Sequence, residues 1–278
     1  MSNYHQLLNQ LSDLNLTCIK EILPAHLDEV AKNEQSLVDS LFELTHQEIS
    51  YRRKETQRKI LKRAMFPYHK RLHDFNFDFQ PKIKKSEIQD LVTLRFLDTY
   101  DNLLFIGNSG VGKTHLAVSI GLECIDRGQS CLFITSTELV NRLIRAHKRG
   151  TSDTMLKKYA SYSVLIIDEV GYLPFSKEGS NLLFQLINMR YERKSTIITT
   201  NIPLSQWSEI FGNKKLTNAL LDRLVHHSKI IQITGPSYRM KSYSETKGKE
   251  TKRYLQFQWP KTNILLWPLT YIQLLQNF

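Results

Sequence analysis

The chain has 278 residues, of which 41% are hydrophobic, and its formal net charge is +11 at pH 7. This length can bury a substantial core, and the lack of a basic leader before an apolar stretch and of a run of about eighteen apolar residues argues against secretion and against a membrane span. The three cysteines match neither a zinc spacing nor a disulfide framework, so we expect a cytoplasmic protein. The excess of basic residues predicts that its surface meets an acidic partner.

Residues 1–72 are predicted to form an all-helical region. Apolar side chains recur at near-helical spacing in two groups, at residues 7–16 and 37–44. Within residues 51–72, nine Lys or Arg residues stand against a single acid. This basic stretch contains no Gly or Pro before Pro67, so we expect it to be helical until that proline ends the helix.

The basic side chains of this helix are candidates for contact with phosphate groups. Arg52, Lys59 and Arg63 recur on one helical face, along which a nucleic-acid backbone could lie. A merely solvated basic helix is one alternative, and an anionic membrane surface is a weaker one because the helix lacks a broad apolar face. The predicted DNA-binding residues are Arg52, Arg53, Arg58, Lys59, Lys62 and Arg63.

A short connector, residues 73–81, leads into a predicted α/β domain that covers residues 82–241. We expect the alternating aromatics of the connector, Phe75, Phe77 and Phe79, to pack onto a core and not to stack on bases. The apolar segments of the domain predict a parallel five-stranded sheet flanked by helices. The predicted strands are residues 103–106, 131–135, 163–169, 195–200 and 229–234.

A complete phosphate-binding motif, G-x-x-x-x-G-K-T, follows the first of these strands and opens a helix. Its glycines let the backbone amides point at phosphate oxygens, and the helix that begins at Lys113 adds the positive end of its dipole. Lys113 is expected to reach the β- and γ-phosphates, and the Thr114 hydroxyl is expected to bind Mg²⁺. The predicted nucleotide-binding residues of the loop are Gly107, Asn108, Ser109, Gly110, Val111, Gly112, Lys113 and Thr114.

Two carboxylates, Asp168 and Glu169, follow an uninterrupted apolar run that is typical of a central parallel strand. They emerge at the carboxyl end of that strand, where open α/β sheets bind ligands. Asp168 is therefore placed to hold Mg²⁺, and Glu169 is placed to orient or deprotonate the attacking water. The sequence thus predicts hydrolysis of the bound nucleotide.

The order of these segments resembles that of the AAA+ ATPases. An additional strand separates the phosphate loop from the acidic strand, and a polar residue, Asn201, ends the strand that follows. By this resemblance Asn201 is sensor 1, a residue that helps to position the water. An ordinary turn asparagine ahead of Pro203 is the alternative.

Several further segments extend the similarity over about residues 10–241. They lie at residues 165–174, 179–186, 190–193, 221–224, 226–228 and 237–239. Together these segments look like the IstB-like transposition helper ATPases of bacterial insertion sequences, which are relatives of the DnaC-type helicase loaders. This resemblance is more specific than the phosphate loop alone.

The resemblance implies a function and two further site residues. Arg223 corresponds to an arginine finger, which in a homo-oligomer acts on the nucleotide of a neighbouring subunit, and Arg239 resembles sensor 2. The resemblance also implies ATP and Mg²⁺ as cofactors, duplex DNA as the partner of the basic helix, and a transposase as the protein partner. We therefore interpret the chain as an ATPase that assembles on duplex DNA and assists a transposase.

Three points stay open at this stage. The first alternative is a replicative helicase loader, which shares the same core but acts on single-stranded DNA. The second is a P-loop kinase, which is less compatible with Glu169, Asn201 and Arg223 because a kinase excludes water from its site. Adenine is favoured over guanine because Asn213-Lys214-Lys215-Leu216 lacks the Asp of the usual guanine-reading motif. Residues 242–278 form a C-terminal extension that either docks a partner or has no defined role.

Overall fold

The computed structural model describes residues 2–241, and the chain divides into two compact units, Met1–Pro236 and Ser237–Phe278. The predicted extension at residues 242–278 lies outside the described residues. In the described part of the second unit, the backbone amide of Lys241 donates to the carbonyl oxygen of Ser237. The helices, strands and site contacts given below belong to the first unit.

The first unit begins with helices and then alternates strands with helices. Its helices within the described residues are α1 (Asn3–Asp13), α2 (Thr17–Asn33), α3 (Leu37–Arg63), α4 (Lys85–Val92), α5 (Lys113–Asp126), α6 (Ser136–Lys148), α7 (Ser152–Ser161), α8 (Lys177–Arg190), α9 (Trp207–Phe211) and α10 (Lys214–His226). Its strands are β1 (Asn102–Gly107), β2 (Cys131–Thr135), β3 (Val164–Val170), β4 (Ser195–Thr200) and β5 (Ser228–Ile233). None of the described helices is long and apolar enough to cross a membrane.

The five strands form one parallel sheet in the order β2-β3-β4-β1-β5. Because parallel neighbours need a crossover connection, a helix or helix pair lies between each strand and the next along the chain. The predicted parallel five-stranded sheet flanked by helices is confirmed, and each predicted strand end is correct to within one residue.

Two hydrophobic clusters cover the opposite faces of the sheet. Within β1, Leu103 and Phe105 belong to one cluster and Leu104 belongs to the other, and all three side chains are fully buried. The first cluster includes much of α5, whereas the second includes side chains of α6, α8 and α10. Burial on both faces makes these strands continuous apolar runs, which is why the sequence pattern identified them.

The long helix α3 connects the N-terminal helices with the sheet domain. Near its end, Ile60 and Leu61 pack against the cluster that contains α5. The Gln57 side-chain amide donates to the carbonyl oxygen of Asp126, at the end of α5, with an Nε2–O distance of 2.9 Å. The C-terminal half of α3 is therefore held against the sheet domain along one face.

The helix α3 ends at Arg63, so the prediction that it continues until Pro67 was wrong. Met65 has a φ angle of 58°, in the left-handed region that a right-handed helix cannot accommodate. The turn lets the carbonyl oxygen of Ala64 accept a hydrogen bond from the Phe133 amide in β2 at 2.8 Å. A contact with the sheet therefore ends the helix before the proline does.

The first two helices and the N-terminal half of α3 form a small helical bundle, as the all-helical prediction for this region requires. Its buried apolar side chains are Leu11, Ile19, Leu23 and Leu44. The apolar group at residues 37–44 is only partly used, because Leu44 is buried whereas Leu37, Val38, Leu41 and Phe42 are exposed. Periodicity thus predicted the helix correctly without predicting which of its side chains are covered.

Candidate active site

The loop between β1 and α5 brings backbone atoms unusually close to other groups. Gly110 and Gly112 have φ angles of 78° and 102°, which glycine adopts without strain. A Cβ atom at Gly112 would lie 2.5 Å from the Phe75 ring, and a Cβ atom at Gly107 would lie 2.1 Å from the carbonyl oxygen of Ile233. The local packing therefore requires these glycines, and the connector aromatic Phe75 packs on the loop as expected.

The loop lysine, Lys113, lies at the start of α5. Its Nζ donates to the carbonyl oxygens of Gly107 and Asn108, at 2.7 Å in each case. The first turn of α5 adds backbone amides that have no partner within the helix, together with the positive end of the helix dipole. Backbone amides and one cation on the same loop form a cradle suited to a polyphosphate.

Residues of the connector and of the segment just before it pack against the helix that follows the loop. The ring of His115 lies against Phe75 and Tyr68, with centroid distances of 5.3 and 6.5 Å, and its Nε2 donates to the carbonyl oxygen of Arg71 at 2.9 Å. Burial lowers the pKa of His115, although the hydrogen bond to Arg71 opposes this effect. His115 therefore holds the connector and the residues just before it against the start of α5.

Polar side chains meet where β3 and β4 end. The Thr114 hydroxyl donates to Oδ1 of Asp168 at 3.0 Å, and the Thr199 hydroxyl donates to the same oxygen at 2.5 Å. Asp168 is buried at this position. A hydroxyl oxygen beside a carboxylate offers the hard oxygen ligands that Mg²⁺ prefers, so Thr114 and Asp168 fit this ion.

The sequence analysis missed one residue of this arrangement, Thr199. Its buried hydroxyl also accepts a hydrogen bond from the Glu169 backbone amide at 3.0 Å, so it contacts both acidic residues. The available signal was its position two residues before Asn201, because a polar side chain near the end of a neighbouring parallel strand must lie beside the carboxylates. Thr199 therefore joins β4 to the acidic end of β3.

A β-bulge separates the environments of the two adjacent carboxylates. The register between β3 and β4 shifts between Ile167 and Val170, and Glu169 has a φ angle of 59°. The Ser136 hydroxyl holds this bend by donating to the Glu169 carbonyl oxygen at 2.9 Å. As a result Asp168 is buried while Glu169 is exposed, an arrangement that suits a metal ligand and a water-activating base respectively.

The residue predicted as sensor 1 lies at the same edge of the sheet. Asn201 directly follows Thr200, the partner of Ile106 in the β1–β4 ladder, and Ile106 precedes the phosphate loop. Asn201 is exposed there, and its role in positioning water stays a prediction. Arg239 belongs to the second compact unit, and its assignment as sensor 2 also stays a prediction.

Arg223 lies at the opposite edge of the sheet from the phosphate loop. The end of α10 lies at the edge of the sheet where the strands begin. There the backbone amide of Asn102, the first residue of β1, donates to the His227 carbonyl oxygen at 2.8 Å. Nε of Arg223 donates to Oδ1 of Asn188 at 2.8 Å, and the guanidinium lies 5.1 Å from the centroid of the Phe184 ring. The guanidinium therefore lies toward the edge at which the strands begin, whereas the phosphate loop follows the end of β1.

One of the six predicted DNA-binding residues, Arg52, has contacts within the chain that explain its presence. Its Nε donates to Oε1 of Glu48 at 2.8 Å, and its Nη2 donates to the Asn15 carbonyl oxygen at 2.8 Å. Burial would raise the pKa of Glu48, but hydrogen bonds from Arg52 and from the Ile19 amide lower it. Arg52 therefore braces the N-terminal bundle.

The other five basic candidates extend from α3 into solvent. They are Arg53, Arg58, Lys59, Lys62 and Arg63, all of which are exposed. Lys59, Lys62 and Arg63 lie on the side of the helix opposite to Ile60 and Leu61, which pack on the sheet domain. Arg58 lies 3.6 Å from the Glu55 carboxylate, a weak pairing at this exposure.

Comparison with known proteins places this site in context. The chain matches a family model described as IstB-like ATP binding protein over residues 9–246. An ATP-binding protein of the insertion sequence IS232 from Bacillus thuringiensis subsp. berliner is 43% identical over 242 residues, which cover 87% of this chain and 97% of that protein. An ATP-binding protein of the insertion sequence IS5376 from Geobacillus stearothermophilus is 39% identical over 85% of this chain and 95% of that protein.

A solved structure shares the fold at lower sequence identity. The AMPPCP-bound DnaA protein from Aquifex aeolicus is 18% identical, covers 71% of this chain and 59% of that chain, and has a TM-score of 0.53. At this identity the similarity concerns the fold alone.

Proposed function

The chain belongs to the family of IstB-like ATP binding proteins and is an AAA+ ATPase, and we propose that it hydrolyses ATP between subunits assembled on duplex DNA, in support of a transposase. One observation carries the proposal: a phosphate loop, a buried carboxylate and an exposed carboxylate meet at one edge of the sheet, while the candidate arginine finger lies at the other edge. The relatives named as insertion-sequence proteins support the transposase as partner.

ATP and Mg²⁺ are the proposed ligands of the loop. Lys113 and the loop amides bind the phosphate oxygens, and Thr114 and Asp168 hold the metal ion, which when bound stabilises the charge that develops on the γ-phosphate. Glu169 orients the attacking water and accepts its proton. Asn201 positions the same water from the neighbouring strand, so the reaction depends on placement and electrostatics.

The position of Arg223 supports hydrolysis between subunits. Arg223 lies toward the edge of the sheet opposite its own phosphate loop, which supports a role at a nucleotide bound by another copy of the chain. Asn188 and Phe184 hold the guanidinium at the surface of α8, where a neighbouring protomer can approach. In such a homo-oligomer Arg223 would stabilise the transition-state charge on the neighbour's γ-phosphate.

The outer face of α3 is the proposed DNA contact. From residue 53 to residue 63 the helix rises about 15 Å, at roughly 1.5 Å per residue, so its cations can follow a line of phosphates. Single-stranded DNA would be better served by aromatic side chains that stack on bases, but Phe75 and Phe77 of the connector pack against the core. This contrast favours duplex DNA over the single-stranded substrate of a helicase loader.

Co-sedimentation with DNA tests the proposal directly. We expect the protein to sediment with duplex DNA in the presence of ATP, and to bind single-stranded DNA of equal length more weakly. The duplex should also stimulate ATP hydrolysis without any small phosphate acceptor, which distinguishes an ATPase from a kinase. Lys113→Ala is the matched control and should show no ATP-dependent sedimentation. A preference for single strands would instead indicate a helicase loader.

A further inference from the structure

A cluster of metal-ligating side chains lies at the edge of the sheet away from the nucleotide, and the proposed function does not use it. Glu192 follows α8, His226 ends α10, and His227 comes directly after it. One ligand atom from each of the three side chains lies within 4.8 Å of the other two. We propose that Glu192, His226 and His227 bind a divalent transition-metal ion of the zinc type.

The backbone that carries these residues is anchored on both sides. Arg190, two residues before Glu192, is buried and donates to the carbonyl oxygens of Tyr159 and Tyr162 at 2.9 Å each. On the other side, the carbonyl oxygen of His227 accepts a hydrogen bond from the backbone amide of Asn102, at the start of β1. The two elements that supply the ligands are therefore fixed relative to each other before any ion binds.

A strained turn directs the carboxylate toward the histidines. Glu192 has a φ angle of 54°, which is uncommon for a residue other than glycine. The amides of Arg193 and Lys194 hold this turn by donating to the Arg190 carbonyl oxygen at 3.0 Å each. Oε1 of Glu192 consequently lies 3.4 Å from Nε2 of His227 and 3.9 Å from Nδ1 of His226.

These separations are close to those of a tetrahedral zinc site. With bonds of about 2.0–2.2 Å, two ligand atoms on such an ion lie about 3.4 Å apart, so small side-chain rotations would complete the three-ligand arrangement. Imidazole nitrogens beside one carboxylate suit zinc, copper or nickel, whereas Mg²⁺ requires oxygen ligands. The site is therefore chemically distinct from the magnesium site at Thr114 and Asp168.

Solvent exposure and one neighbouring hydroxyl affect how a metal ion would bind to the cluster. All three ligands are exposed, so an ion can enter from solvent, and a fourth coordination position stays open to water or another donor. The Tyr191 hydroxyl lies 2.8 Å from Nδ1 of His226, a hydrogen bond that binding through this nitrogen would replace.

Titration calorimetry on the full chain tests the site without measuring ATPase activity. After removal of metals with a chelator, ZnCl₂ should bind with one tight equivalent per chain, and Co²⁺ should give the visible absorption of a tetrahedral complex. His226→Ala with His227→Ala should weaken zinc binding at least tenfold. Glu192→Gln, which preserves the shape of the side chain, should weaken it as well because an amide oxygen is a poorer ligand.

A histidine–carboxylate pair elsewhere on the surface provides the matched control. Nε2 of His147 lies 3.9 Å from Oε1 of Glu178 and forms a similar pair with a single histidine. His147→Ala should leave the tight equivalent unchanged. The proposal is overturned if the wild-type chain shows no saturable zinc binding, or if the double histidine variant, shown by its melting curve to be folded, binds zinc as tightly as wild type.

Discussion

The two edges of the sheet carry different kinds of functional groups. At the carboxyl edge, hydrogen bonds within one chain join Thr114, Asp168 and Thr199. At the amino edge, Arg223 is held by Asn188 and Phe184 and does not contact these residues. The comparison supports the proposal that one edge holds a nucleotide and that Arg223, at the other edge, acts on a nucleotide held by a neighbouring subunit.

The strongest test of this contrast is to remove the arginine. Arg223→Ala should bind ATP normally but lose hydrolysis by about 10³–10⁵-fold, because a finger supplied between subunits stabilises the transition state by that order. The measurement is steady-state hydrolysis with saturating duplex DNA. A loss that is restored when the variant is mixed with Lys113→Ala would confirm that the two edges work together across an interface.

The mixing experiment has its own control. Arg193→Ala removes an exposed cation near the same edge, and it should hydrolyse ATP near the wild-type rate without any partner variant. If mixtures of Arg223→Ala and Lys113→Ala co-assemble and stay inactive, Arg223 is either a residue that acts within its own chain or a structural charge held by Asn188 and Phe184.

At the carboxyl edge, the exposed carboxylate should matter for turnover and not for binding. Glu169→Gln should bind ATP with near wild-type affinity while its turnover falls about 10²–10⁴-fold, the usual contribution of a general base. Lys113→Ala should instead lose measurable ATP binding. Nucleotide binding by fluorescence and turnover by phosphate release separate the two effects, and undiminished turnover in Glu169→Gln would assign the base to another residue.

A third region, the outer face of α3, belongs to neither edge and should affect DNA binding alone. Neutralising the five exposed cations should weaken binding to all duplex sequences alike, and the log–log salt dependence of binding should become shallower by about four to five if all five meet phosphates. The substituted residues are Arg53, Arg58, Lys59, Lys62 and Arg63. DNA-independent ATP hydrolysis should not change.

A charge-matched variant makes this measurement specific. Five exposed cations elsewhere on the surface are neutralised in the control, which should keep most of the salt dependence. These are Lys32, Lys148, Arg149, Lys158 and Lys215. An equal change of slope in the two variants would show that net charge, and not the face of α3, governs DNA binding.

The smallest expected effect concerns the hydroxyl that links β4 to the acidic residues. Thr199→Val should lower turnover about tenfold to a hundredfold, because hydrogen bonds to charged groups are worth about 1.5–3 kcal/mol, while ATP affinity should change little. Thr199→Ser should restore turnover. Thr200→Val is the control, since the Thr200 hydroxyl bonds to Ile202 instead, and an equal loss in this variant would mean that strand packing is responsible.

The sequence predicted the parts of this site that local patterns encode. A phosphate loop is a contiguous motif whose glycines, lysine and threonine act together over eight residues, and a buried parallel strand is a continuous apolar run. Both can be identified without knowing what packs against them. The role of Thr199 could not be identified in this way, because its partners lie on another strand and depend on the strand order.

The sequence by itself therefore determined the α/β sheet, the phosphate loop and the acidic strand end, since each depends on neighbours in the chain. The tertiary structure alone decided that α3 ends at Arg63, that a bulge separates Asp168 from Glu169, and that Arg223 is held by Asn188. These features depend on contacts between segments far apart in sequence. Their energies come from packing and hydrogen bonds that form only once the sheet has assembled.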